Sequence, residues 1–226
     1  MSEMSNQPRL LAEDLLLLAW DAEAGKPRGS ASVQLPMAVG GALLLDLALR
    51  DQLRIEVDVP RVSSRRTGDA LLDEVAAQLR DGSRRRKLKS WVRKVGTTAR
   101  RDAVRDRLVA RGLLELEERR ILGLFPVTRH RLRDPMEVDR VAGEVRGVLQ
   151  GGRPASDRVA ALTALVGATA VLDQLVPRAE RRAARERAKE LAESSPVADA
   201  TRAVIRETQA AVIASVGAMA GAASSG

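Results

Sequence analysis

"LPMAVGGALLLDLALRDQL", Leu35 to Leu53, is the stretch on which the fold turns. Pro36 suits a helix start, where its missing N–H costs nothing, and the run from Ala42 to Leu49 is apolar except for Asp46. A helix apolar on nearly every side must be wrapped by other elements, so the stretch predicts a buried central helix.

On its N-terminal side, "RLLAEDLLLLAW" sets Leu11, Leu15 and Leu18 at helical spacing, with Glu13 and Asp14 near the first turn where they suit the helix dipole. "EAGKPRGS", from Glu23, is a loop. On the C-terminal side, "RIEVDV" alternates Ile55, Val57 and Val59 with charged partners and predicts a short half-exposed strand ended by Pro60. "TGDALLDEVAAQL" is a helix capped by Thr67 or Asp69, with Leu71, Leu72, Val75 and Leu79 facing inward.

Next comes "SRRRKLKSWVRK", Ser83 to Lys94, seven basic residues around one tryptophan. A helix from Arg84 would set Leu88, Trp91, Val92 and Val95 on one side and the cations on the other. Thr97 or Thr98 caps "ARRDAVRDRLVARG", with Val104 and Leu108 inward and Gly112 as a left-handed C-cap. "LLELEERRILGLFPV" predicts a hairpin with its turn near Glu117 to Arg120 and an apolar second arm from Ile121 to Val127. From Asp134 onward the pattern is helical, with Pro135, Pro154, Pro177 and Pro196 near helix starts. The longest apolar stretch, Val159 to Leu172, falls short of the roughly 20 residues of a membrane span and predicts a core helix.

Composition agrees with a mainly α fold: alanine, leucine and arginine dominate, Tyr is absent and Phe occurs once. The net charge of +8 is unevenly spread: residues 1–60 carry net −4, residues 61–112 net +10 and residues 113–226 net +2. A basic face is expected from the middle segment. With no cysteine and no secretory leader, a cytoplasmic protein is expected. One histidine, His130, leaves no zinc cluster or catalytic triad, and its arginine neighbours suggest a surface or loop position. Gly40-Gly41 and Gly151-Gly152 match no nucleotide-binding pattern. No enzymatic activity, cofactor or metal is expected.

Two functional readings of the basic segment stand against a structural one. Arg100, Arg101, Arg105 and Arg107 ahead of a glycine turn and a hairpin have the order of a winged-helix DNA-binding domain, although the apolar arm is greasier than a phosphate-contacting wing wants. A peripheral membrane protein uses both features, since basic residues attract an anionic leaflet and apolar ones enter it. The structural alternative makes the charges solvated helix faces, Trp91 core, and the hairpin a packing or subunit contact.

The chain also resembles the Golgi phosphoprotein 3 (GPP34) family. "LAEDLLLLAWDAEAG", "LLLDLALRDQLRIE", "TGDALLDEVAAQL", "LVARGLLELE" and "DRVAALTALVGATAVLDQLV" carry the likeness in order across residues 10–176. The resemblance implies a single domain over residues 9–220; the polar start, residues 1–8, and the small-residue tail, residues 221–226, are expected to be flexible termini. It implies a helical bundle around a buried central helix with a projecting β-hairpin. Eukaryotic members bind phosphatidylinositol 4-phosphate on Golgi membranes through a tryptophan, an arginine before the central helix and two arginines ahead of the "LV-x-x-G" helix end. Of these, Arg101 alone has a clear counterpart here; the other positions fall near Ala31, Gly40 and Thr98. The resulting expectation is a bacterial peripheral membrane protein that binds anionic headgroups through Arg101, Arg100, Arg105, Arg93 and Lys94. Leu122, Leu124 and Phe125 would insert into the membrane or contact another copy. Anionic lipids are the expected partners, a protein cargo and self-association are compatible with them, and nucleic acid is the disfavoured partner.

Overall fold

The structure is a computed structural model that describes residues 7–82, 85–121, 125–154, 156–194 and 199–223. In chain order the elements are α1 (Leu11–Leu18), β1 (Trp20–Asp21), β2 (Lys26–Pro27), α2 (Gly29–Ser32), α3 (Leu35–Leu49), β3 (Leu53–Glu56) and β4 (Val59–Val62). Then follow α4 (Ala70–Asp81), α5 (Leu88–Val95), α6 (Thr98–Ala110), β5 (Leu114–Ile121) and β6 (Phe125–Leu132). The chain closes with α7 (Pro135–Leu149), α8 (Asp157–Gly167), α9 (Leu172–Leu175), a 3-10 turn at Arg178–Glu180, α10 (Arg181–Ser194) and α11 (Asp199–Ala223). The fold is mainly α, with three separate two-stranded antiparallel ladders: β1 with β2, β3 with β4, and β5 with β6.

α3 packs against α1, α4, α5, α6, α8 and α11. Its Leu43, Leu44, Leu45 and Leu47 are fully buried. Each buried leucine contributes about 1.5–3 kcal/mol relative to an exposed one. The one carboxylate in the run, Asp46, is also buried; it accepts the Leu11 N–H at 2.8 Å and the Arg158 Nη1 at 3.4 Å. Burial pushes its carboxyl up to about 7, against the opposing pull of Arg158.

α1 is buried on every side, so Glu13 and Asp14 do more than complement a helix dipole. Glu13 accepts the Leu10 N–H at 2.6 Å in a capping arrangement and also holds Arg107 at 3.3 Å and Arg111 at 2.8 Å. Asp14 holds Arg9 at 2.7 Å and Arg158 at 2.5 Å. A second bond of Arg107, 2.6 Å to Asp69, joins α6 to the start of α4, where Asp69 accepts the Leu71 and Leu72 N–H groups.

The expected caps at Asp69 and Thr97 and the left-handed Gly112, φ 72°, are present. Four expectations need correction. "RIEVDV" is not one strand ended by proline: the chain reverses at Val57 and Asp58, φ 49° and 66°, and Pro60 sits inside β4 opposite Ile55. Neither residue is the glycine or asparagine that usually marks such a turn, so the sequence hid it. The basic helix begins at Leu88 rather than Arg84. The core helix expected over Val159 to Leu172 is interrupted after Gly167, where Thr169 Oγ1 donates to the Val166 carbonyl and receives the Val171 N–H in place of the helical ladder. Glu117 to Arg120 are strand, not turn: β5 runs to Ile121, which pairs with Phe125, and opposite charges face across the ladder at Glu115–Arg131 and Glu117–Arg129.

Gln7 is tied down by its side-chain bond to the Gly68 carbonyl and by Arg111 on its own carbonyl. α11 continues to Ala223 through an alanine-rich stretch of high helix propensity. Residues 1–6 and 224–226 lie outside the described residues. Among the described residues no helix is long and apolar enough to cross a membrane.

Candidate functional site

α6 displays arginines in two stripes. Arg101 and Arg105 are four residues apart and share one side; Arg107 and Arg111 share another, about 120° around the axis. The second stripe is consumed by Glu13 and Asp69 as described above. The first lines a recess of about 310 Å³ together with Trp20, Lys26, Asp102 and His130.

The β1–β2 turn and β6 build the opposite wall of this recess. Gly25 has φ 63°, and its carbonyl accepts the His130 N–H at 3.1 Å; a Cβ there would lie 2.9 Å from Arg129 Cβ, so the close approach requires glycine. The Trp20 Nε1–H donates to the His130 carbonyl at 2.9 Å, and the two rings meet edge to face at 6.1 Å. These contacts fix Lys26 on β2 opposite the arginines of α6. His130 is thus a half-buried strand residue rather than a loop residue. Burial and the neighbouring Arg105 hold its imidazole below the ordinary histidine value, outweighing Asp106 and Asp102.

The arginines of the recess have only local carboxylate partners. Asp102 Oδ1 accepts from Arg101 Nε and Nη2 at 3.0 and 2.7 Å and from Arg105 Nη1 at 3.3 Å. Asp106 Oδ1 accepts from Arg105 Nε and Nη2 at 3.0 and 2.8 Å. Lys26, Arg101 and Arg105, against Asp102 in the lining and Asp106 beside it, leave one unit of positive charge when His130 is neutral. A larger recess of about 710 Å³ lies near Arg9 and Arg158, but its four arginines face four carboxylates and leave no net charge.

The other expected headgroup residues are not brought here. Arg100 turns toward α4, 3.1 Å from Glu74 and 3.4 Å from the Gln78 Oε1. Arg93 and Lys94 are exposed on α5 and do not line the recess. Lys94 Nζ lies 4.9 Å and Arg86 5.2 Å from the Trp91 ring centre, while Trp91 itself is buried core. Leu122 and Leu124 lie outside the described residues, and Phe125 is described as the first residue of β6. Sequence reasoning missed Trp20, Lys26 and His130. Only His130 left a signal, in the strand alternation of "FPVTRHRL" had it been followed past Val127.

A comparison with family profiles matches the one described as Golgi phosphoprotein 3 (GPP34) over residues 11–208. The chain belongs to this family. No curated protein matches it. The structure closes both Ala31 and Gly40, near which the sequence resemblance sets a tryptophan and an arginine of the headgroup pocket. Ala31 is fully buried, and Gly40 lies inside α3, where a Cβ would stand 2.5 Å from the Gly96 backbone. No arginine fits at Gly40 without moving the α5–α6 connection. The cations that face the recess are Arg101, the one counterpart kept, with Arg105 and Lys26.

Proposed function

We propose that this Golgi phosphoprotein 3 family member is a non-enzymatic peripheral membrane protein, working at the cytoplasmic face, whose α6–β2 recess binds anionic lipid headgroups. The observation that carries the reading is the recess itself: three cations, one carboxylate, and a wall supplied by the base of the β5–β6 hairpin. Five strand steps separate His130 from Phe125, about 17 Å. The hairpin is charged near its base, at Glu115, Glu117, Arg129 and Arg131, and its sequence is apolar at Ile121, Leu122, Leu124 and Phe125. Charge at headgroup level and apolar residues beyond it suit a hairpin that enters a leaflet, or one that meets another copy of the chain on the membrane.

The DNA-binding alternative loses ground on the register of the hairpin. A wing built from β5 would carry Glu115 and Glu117 on one face, against phosphates.

Co-sedimentation with neutral phosphatidylcholine vesicles and with vesicles carrying 20–30% (about) anionic lipid tests the reading. Binding to the anionic vesicles alone, weakened by added salt because exposed charges are screened within about 8 Å at physiological ionic strength, is the expected result. Equal binding to both overturns it. Phe125→Asp is expected to weaken binding at every salt concentration.

A further inference from the structure

Arg101 and Arg105 do not meet the recess with unoccupied guanidinium groups. One oxygen, Asp102 Oδ1, gathers both of them, taking Nε and Nη2 of Arg101 and Nη1 of Arg105 within 2.7–3.3 Å. Asp102 itself lines the recess, with a third of its side chain exposed. No other helix supplies a carboxylate to Arg101 among the described contacts; its partner is its own neighbour in sequence. The arrangement is therefore that of an anion site already holding an anion, and the anion is part of the protein.

We propose that Asp102 is the specificity-determining residue of the recess: a built-in carboxylate that holds Arg101 and Arg105 in the empty site and excludes ligands that bind them no better than it does. This rests on the headgroup reading above. A phosphodiester carries one negative charge and two free oxygens, so it meets Asp102 as an equal and must displace it or share the arginines with it at the cost of like-charge repulsion. A phosphomonoester carries up to two charges and three acceptor oxygens. It exceeds Asp102 by one charge and one acceptor oxygen, and it engages Lys26 and the Arg101 edge that Asp102 leaves open, while Arg105 stays shared between Asp102 and Asp106. Selection among lipids thus arises from an acidic residue inside a basic site, by penalising the weaker competitor.

Asp102→Asn keeps the size and shape of the side chain and removes its charge. The test measures binding to phosphatidylcholine vesicles containing either phosphatidylglycerol, a phosphodiester, or phosphatidic acid, a phosphomonoester, at matched surface charge. The expected result is a rise in affinity for phosphatidylglycerol vesicles of about tenfold, with a smaller rise for phosphatidic acid, so that the preference between them shrinks. Asp102→Glu, which retains the carboxylate, is expected to behave like the unaltered protein. Glu186→Gln makes the same charge change on α10 and is expected to raise both affinities equally and by less than about twofold.

If Asp102→Asn matches Glu186→Gln while Arg101→Ala with Arg105→Ala still abolishes binding, the role of Asp102 is overturned and the headgroup site survives. Should the double arginine variant bind as well as the unaltered protein, with Asp102→Asn again without effect, both readings are overturned. If the unaltered protein binds neither vesicle, binding unmasked by Asp102→Asn supports the proposal, and continued absence of binding overturns it. Thermal unfolding of each variant confirms that the comparison is made between folded proteins.

Discussion

Arg107 and Arg111 differ from Arg101 and Arg105 in what they are for, although all four stand on one helix at the same four-residue spacing. The Arg107 and Arg111 side chains are 13% and 5% exposed, and their partners Glu13 and Asp69 come from α1 and the start of α4, 38 to 98 residues away. The Arg101 and Arg105 side chains are 23% and 28% exposed, and their partners are neighbours on the same helix turn. A carboxylate from a distant element makes an arginine a fastener between elements. One from the same turn merely holds the arginine ready at the surface. Charge counting along the chain cannot separate the two, because all four arginines contribute equally to the basic middle segment.

The largest effect that would sharpen this contrast is on the fastener side. Arg107→Met leaves two buried carboxylates, Glu13 and Asp69, short of a partner, and is expected to cost about 3–5 kcal/mol in denaturant unfolding. A loss below about 1 kcal/mol would erase the distinction between the stripes.

Gly40→Arg is the next largest. It sets an arginine near where the family resemblance expects one, but its Cβ meets the Gly96 backbone at 2.5 Å. A destabilisation of about 3 kcal/mol is expected. A stable variant with improved headgroup binding would show that the recess can be rebuilt in the eukaryotic manner.

Asp46→Asn probes the same buried network by pH. The folded-state carboxyl is raised to about 7, above the unfolded value of about 4. Its contribution is therefore full below pH 4 and is lost as pH rises through 7. Asparagine still accepts the Leu11 N–H and does not titrate, so the stability of the variant relative to the unaltered protein is expected to rise between pH 4 and pH 8, by about 1 kcal/mol or more. Unfolding curves that stay parallel across that range would mean that Asp46 is fully paired and does not titrate.

Much of the scaffold was legible in the sequence because it rests on periodicity. The α4 cap at Asp69, the four buried positions Leu88, Trp91, Val92 and Val95, and the uniform burial of α3 all follow from local pattern. What escaped were features set by tertiary contact. The Val57–Asp58 reversal lacks turn residues, and the Glu117 to Arg120 strand looks like a turn until Pro126 to Arg129 are known to pair with it. The recess was half legible. Arg101 and Arg105 stand out as helix cations, but Lys26 and Trp20 lie 75 or more residues from Arg101 and arrive only because Gly25 docks on His130. By charge and spacing Arg100 matched Arg101, and only the helix phase assigned it to Glu74.

The most direct test of the account compares two double variants that each remove two positive charges. Arg101→Ala with Arg105→Ala empties the recess, while Arg182→Ala with Arg185→Ala takes the same charge from α10. Both are expected to cost under about 1 kcal/mol in stability, because all four side chains are at least partly solvated. Binding to anionic vesicles should fall at least about tenfold for the first pair and stay within about twofold for the second. Equal losses for the two pairs would mean that net charge alone carries the interaction, and would contradict a binding site at the α6–β2 recess.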